Sequence, residues 1–265
     1  MLRLNSIEKL QFFFKVLFKV LKSAKKNWNN PWIEISEIPF FTNINAPIIN
    51  KIIQSFSFLK KEAFNCISIN KIEFIIEAMA ILNYDIKIFS QIIDYHGFEL
   101  LIKEILSRNR YYVTNNFYFS DKSPLKAKFD QSRYEIDIVG LKKGIMLLID
   151  AKEGFKRSPQ QKISKAANLQ FQRGLALKNN PKSLAQLLLE LFKSFKNRNK
   201  KIAASFPLKI IPFMVTLEEN QMKLNENHLP LVCINRLNSF LNELGINLER
   251  FHYLKLEKIS INIIN

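Results

Sequence analysis

Apolar residues recur at helical spacing through residues 6–26, SIEKLQFFFKVLFKVLKSAKK, and the run ends in a Lys/Asn cluster, so the spacing predicts a helix. A second helical stripe, Ile48, Ile49, Ile52, Ile53 and Phe56, lies in APIINKIIQSFSFL (46–59), with Pro47 suited to an early helical position. Between them NNPWIEISEIPFF (29–41) reads as a turn leading into a short helix. FNCISIN (64–70) alternates and predicts a strand, while KIEFIIEAMAIL (71–82) and DIKIFSQIID (85–94) read as helices.

Beyond residue 96 the pattern changes. GFELLIKEILSRNR (97–110) is an amphipathic helix with Phe98, Leu101, Ile102, Ile105 and Leu106 on one side. Three strand patterns follow, YYVTNNFYF (111–119), YEIDIVG (134–140) and IMLLIDA (145–151). The first two are separated by the polar, basic loop 120–132 and the last two by the turn LKKG. Helices are expected from about 159 to 178 and over 181–201. PLKIIPFMVTLEE (207–219) opens as a buried strand, HLPLVCI (228–234) is a further strand and NRLNSFLNEL (235–244) a helix. No internal repeat is evident. The expected class is α/β: a central mixed sheet flanked by helices over 96–265, preceded by a mostly helical region over 1–95. The order in that first region (helix, short helix, helix, strand-like pair, helix) is that of a winged helix-turn-helix, with 46–58 as its recognition helix; its apolar stripe fits core packing equally well.

Charge then separates the two regions. The chain has 265 residues and a formal net charge of +17. Residues 96–200 hold 21 Lys and Arg against 9 Asp and Glu, whereas 1–95 hold 12 against 8 and 201–265 hold 7 against 6. A localised basic segment fits a polyanion, nucleic acid before membrane surface, although a solvated lysine-rich surface has the same composition. Cys66 and Cys233 match no zinc or redox spacing and read as buried thiols, and the three histidines are too scattered for a zinc motif. The segment 6–26 is too short and too interrupted by Lys15 and Lys19 to span a membrane, and it lacks a signal-peptide pattern. An interfacial helix is the minor alternative there. The expectation is an intracellular, reduced protein associated with the nucleoid, with no membrane partner.

The chemistry concentrates in RYEIDIVGLKKGIMLLIDAKEG (133–154). A strand has period two, so Glu135 and Asp137 point one way while Asp150 and Lys152 share a face of the next strand. If the hairpin pairs, Asp137 and Asp150 converge near the strand ends. Two buried carboxylates repel and are costly to desolvate. A divalent cation removes that cost, and hard oxygen ligands select Mg²⁺ or Mn²⁺ over zinc. The carbonyl of Ala151 is a natural further ligand, and Lys152 could orient a water and stabilise charge as that water attacks phosphorus.

This arrangement resembles the PD-(D/E)xK nuclease superfamily, in which an acid on the second core strand precedes acid-x-Lys on the third: here Asp137 and Asp150-Ala151-Lys152. GFELLIKEILSRNRYYVTNNF is similar to the opening of Mrr-type endonucleases and archaeal Holliday junction resolvases, which implies Glu99 as an additional acid on the first core helix, with Glu104 its rival. The resemblance implies Asp137, Asp150, Ala151 and Glu99 around the metal and Asp137, Asp150, Lys152 and Glu99 in catalysis. It further suggests accessory groups at Gln170 and Arg173 on the following helix, with Gln161 and Lys165 as earlier candidates; a plain helix surface is the competing reading. Glu135 is either a supporting group or simply solvated. The superfamily's proline is replaced by Ile136, and Asp stands where Glu is commoner. The resemblance covers roughly 97–243.

The expected function is a Mg²⁺-dependent endodeoxyribonuclease of repair, recombination or restriction. Lys122, Lys126, Lys128, Arg133, Lys156 and Arg157, with the run 193–201, are the candidate phosphate contacts. Many relatives cut as dimers, so a homodimer is an expectation without an assigned face. Competing readings are a non-catalytic DNA-binding protein on a nuclease-like core, and a nuclease acting on RNA.

Overall fold

The computed structural model describes residues 7–120, 133–153, 160–193, 207–219 and 223–257. The chain divides into two compact units, Met1–Leu101 and Ile102–Asn265, with the division inside one helix rather than in a linker. No described helix is long and apolar enough to cross a membrane.

In the first unit, α1 (Ile7–Ser23) buries Phe13, Phe14, Leu17 and Leu21, the apolar stripe read from its sequence. Strand β1 (Trp32–Glu34) and two 3-10 turns over 35–41 occupy the segment expected to be a turn and short helix. Then come α2 (Ala46–Ser55), β2 (Leu59–Lys61), β3 (Cys66–Ile69), α3 (Lys71–Leu82) and the short α4 (Ile86–Phe89). The three strands form an antiparallel sheet in the order β1-β3-β2. Helix starts are capped as the sequence would have them. The Asn45 side chain accepts from the Ile48 N–H, Asn70 from Ile72 and Glu73, and Asp85 from Lys87. The core is rich in phenylalanine: Phe14 stacks on Phe74 and meets Phe56 and Phe58 edge-on. Cys66 is half-buried rather than buried, whereas Cys233 of the second unit is buried.

Helix α5 (Tyr95–Arg108) leads into the second unit. Its strands are β4 (Tyr112–Phe119), β5 (Tyr134–Lys142), β6 (Ile145–Lys152), β7 (Leu208–Thr216), β8 (Leu231–Cys233) and β9 (Leu254–Leu256). Its helices are α6 (Gln160–Lys178), α7 (Pro181–Lys193) and α8 (Ile234–Glu243). The sheet runs β4-β5-β6-β7-β8, with β9 also on β7. β4, β5 and β6 pair antiparallel, with only Lys143 and Gly144 between β5 and β6, whereas β6, β7 and β8 are parallel and need crossovers. Met146 and Leu148 of β6 join Leu208 and Ile210 of β7 with Leu177 of α6 and Leu188 of α7 in one apolar cluster on one face. On the other face Phe213 meets Phe240 of α8, and Gly140 of β5 lies against Leu106 and Tyr111. Burial there pushes the Tyr111 phenol up to about 12.

Candidate active site

The β5–β6 ladder runs from Lys142↔Ile145 to Ile138↔Ile149. One further step in the same register sets Asp137 opposite Asp150 at the end of the hairpin, the convergence expected from the strand period. There the side chain replaces the backbone: Asp137 Oδ2 accepts the Ala151 N–H at 2.9 Å. Both acids are withdrawn from solvent, Asp137 at 8% exposure and Asp150 at 2%. Carboxylates so buried need compensation by hydrogen bonds or counter-charge.

Asp150 obtains it from two cations. Lys152 Nζ lies 3.1 Å from its Oδ2, on the same strand face two residues on. From α6, the Arg173 guanidinium donates to Oδ1 at 2.8 Å and also to Gln170 Oε1 at 3.0 Å. Gln170 is fully buried, and its Nε2 has no hydrogen-bond partner among the described residues. Gln170 and Arg173 therefore belong to the surroundings of Asp150 and are not an outward helix surface. Lys165, on an exposed position of the same helix, lines an open depression with Ser164, Asn168 and Glu226.

The strand pattern gives no sign of two neighbouring features. Asn116 of β4 has a left-handed backbone, φ 54°, and the β4–β5 register sets it opposite Asp137. Beside it, Asn115 Oδ1 accepts from Lys103 Nζ at 2.8 Å. Asparagine tolerates this conformation better than most residues, which is the one hint composition offers.

Glu135 is exposed and accepts from the Tyr118 hydroxyl at 2.6 Å, while Arg133 stacks over that tyrosine ring at 4.9 Å. Glu104 is paired with Arg108 on α5. Glu99 is buried on the first-unit side of the division, with His96 Nδ1 at 3.4 Å from Oε2. Lys122, Lys126, Lys128, Lys156 and Arg157 lie outside the described residues, as does the run 193–201 after Lys193, and the side chain of Gln161 is likewise not described.

Within the first unit, the exposed side of α2 carries Lys51 and Gln54, and Asn50 accepts from Lys61 of β2 at 3.0 Å. The β2–β3 hairpin turns through Phe64 and Asn65, both with positive φ, and the Phe64 side chain is 90% exposed at the tip.

The second unit thus presents two buried acids on adjacent strands, an ammonium on one of them and an arginine reaching in from a helix. Among the described residues no three or more His, Cys, Asp and Glu side chains gather as a metal-holding group. No family model matches the chain, and no curated protein matches it. Among solved structures, protein VC1899 from Vibrio cholerae aligns with 92% of this chain at 10% identity and a TM-score of 0.32. The aligned region is 51% of that protein, so this chain spans about half its length. A likeness that loose carries no argument about fold or function.

Proposed function

We propose that this chain is a metal-dependent nuclease with a PD-(D/E)xK-type core, acting on DNA and using Mg²⁺ or Mn²⁺. The observation that carries the reading is Asp137 held on the Ala151 N–H, one step beyond the β5–β6 ladder and so beside Asp150, with Lys152 on Asp150. The donor set fits a hard divalent cation: two buried carboxylates and the Ala151 carbonyl, with neither thiolate nor imidazole among them. Such an ion lowers the pKa of a bound water and neutralises phosphate charge. Lys152 holds a proton-rich head beside Asp150, from which it orients the attacking water and offsets charge on the phosphoryl oxygens. Asp137 accepts from the Ala151 N–H, so one acid is engaged by backbone and the other by the side chains of Lys152 and Arg173.

The first unit is read as a winged helix that helps dock nucleic acid. The antiparallel order β1-β3-β2 and the position of α2 just before the β2–β3 hairpin support this.

The test is a substrate panel of plasmid, linear, branched and single-stranded DNA and RNA with Mg²⁺ or Mn²⁺. Wild type should cut at least one member and be silenced by EDTA. Asp150→Ala and Lys152→Ala should each lose about 10² or more in rate. Unchanged cleavage in either purified variant would sink the reading. A second reading, nucleic-acid binding without catalysis, is favoured by the engagement of both Asp150 oxygens by cations. It predicts binding without nicking throughout the panel.

A further inference from the structure

The geometry points to Arg173 as a built-in competitor of the divalent cation for Asp150 Oδ1, held in place by Gln170. This inference rests on the metal-site reading above and assigns a regulatory role to residues that reading leaves unexplained.

Three observations converge on it. First, Asp150 has no free oxygen in this state: Oδ1 takes Arg173 at 2.8 Å and Oδ2 takes Lys152 at 3.1 Å. A cation that uses Asp150 must loosen one of these contacts, because guanidinium, ammonium and metal ion repel one another over a shared carboxylate. Second, the two contacts are not equivalent. Lys152 is a neighbour on the same strand and its ammonium pivots on a flexible stem. Arg173 reaches over from α6, is less exposed than Lys152, and is held by a second acceptor, Gln170 Oε1 at 3.0 Å.

Third, holding Arg173 has a cost that the fold accepts. Only the amide oxygen of Gln170 can accept from a guanidinium, so the bond to Arg173 fixes which way the amide faces. In that orientation Nε2 is buried and has no partner among the described residues. An unsatisfied buried donor is destabilising, and an apolar side chain of similar size would avoid the penalty. A glutamine kept there does what leucine cannot: it holds Arg173 on Asp150. The resting site is therefore charge-neutralised by the chain itself, and the metal enters by displacing the arginine. Metal occupancy then depends on whatever draws Arg173 away, and a phosphate of the bound nucleic acid has the chemistry to do so.

The experiment measures Mn²⁺ binding to the full chain at fixed pH and ionic strength, from the electron paramagnetic resonance signal of free Mn²⁺, without nucleic acid. The proteins are wild type, Arg173→Gln, Gln170→Leu and Asp150→Asn, each checked for folding by circular dichroism. Arg173→Gln should bind Mn²⁺ about tenfold more tightly or better. Gln170→Leu, which alters no charge, should tighten binding by about threefold or more by releasing the arginine. Gln170→Met replaces it if the leucine variant does not fold. Asp150→Asn should abolish binding at this site. Tighter binding in Arg173→Gln alone, with Gln170→Leu equal to wild type, overturns the latch: the arginine then acts only through its field. Equal binding in wild type and both variants overturns it too, while the metal-site reading stands. No Mn²⁺ uptake by wild type or any variant overturns the metal-site reading, and the latch falls with it.

Discussion

Lys71 is fully buried at the start of α3, where its ammonium donates to the backbone carbonyls of Lys25 at 2.8 Å and Lys26 at 3.4 Å. Burial lowers its pKa to about 8, with Asp94 opposing the shift and Lys26 adding to it. The unfolded chain holds that proton up to the usual lysine range near 10.5, so between about pH 8 and 10.5 the unfolded state binds more protons. This group therefore makes the fold more stable as pH rises through that window. Tyr111, raised from 10.0 to about 12, acts with the opposite sign: above pH 10 the folded state retains the proton, and stability falls. The thermal midpoint of wild type should rise between pH 7.5 and 9.5 relative to that of Lys71→Met, which lacks the titrating group. Parallel midpoints in the two proteins would show that Lys71 is not responsible. At this scale the candidate site is partly legible in the sequence. The facing of Asp150 with Lys152 follows from the strand period alone, and so does the alignment of Asp137 once the hairpin pairs. Arg173 and Gln170 are different, since the side of α6 that meets the sheet depends on packing, which no local pattern encodes.

The elements show the same division. Long periodic segments, such as α1, α3, α6 and the strands β4 to β7, lie close to where hydrophobic spacing sets them. Of the four described three-residue strands, β1, β2 and β9 show no period of their own, and each pairs with a neighbouring strand. β7 shows what that pairing allows. Pro212 stands in a strand interior, where a missing N–H normally breaks a ladder. On that edge β9 covers Leu208 to Ile210 and β8 covers Met214 to Thr216, so Pro212 falls in the interval between two part-strands. Across it lies Gly174 of α6, where an added Cβ would stand 3.0 Å from Pro212 Cγ and 3.2 Å from Leu254 Cδ1. A proline ring on a paired strand has little room to give. Gly174→Val should therefore destabilise the protein by about 1–3 kcal/mol, read as a thermal midpoint lowered by several degrees. Gly245→Ala, at a position with nothing within 4 Å, is the control and should leave the midpoint unchanged or slightly higher.

For the whole molecule the decisive quantity is the uneven charge. The second unit, 102–265, holds 28 Lys and Arg against 14 Asp and Glu, and the first unit holds 12 against 9. Under the proposed function this makes the second unit the main source of phosphate attraction, with the first contributing shape and orientation. Binding dominated by counterion release weakens linearly on a logarithmic salt scale, with a slope near −0.9 for each phosphate neutralised on duplex DNA. A footprint of about six phosphates predicts a loss of roughly 10³ in affinity between 50 and 200 mM salt. Fluorescence anisotropy with Asp150→Ala in EDTA measures this without cleavage. Replacing Lys122, Lys126 and Lys128 together by alanine should make the slope shallower by about 3 and weaken binding to all sequences alike. Replacing Lys51 and Gln54 on α2 should change the slope by only about 1, since a single charge is lost, but should alter preference among substrate shapes or sequences. A slope near zero in the parent protein would remove the electrostatic ground for a nucleic-acid partner. A steep slope that the triple variant leaves intact would move the phosphate contacts away from 122–128 to the remaining basic positions of the second unit.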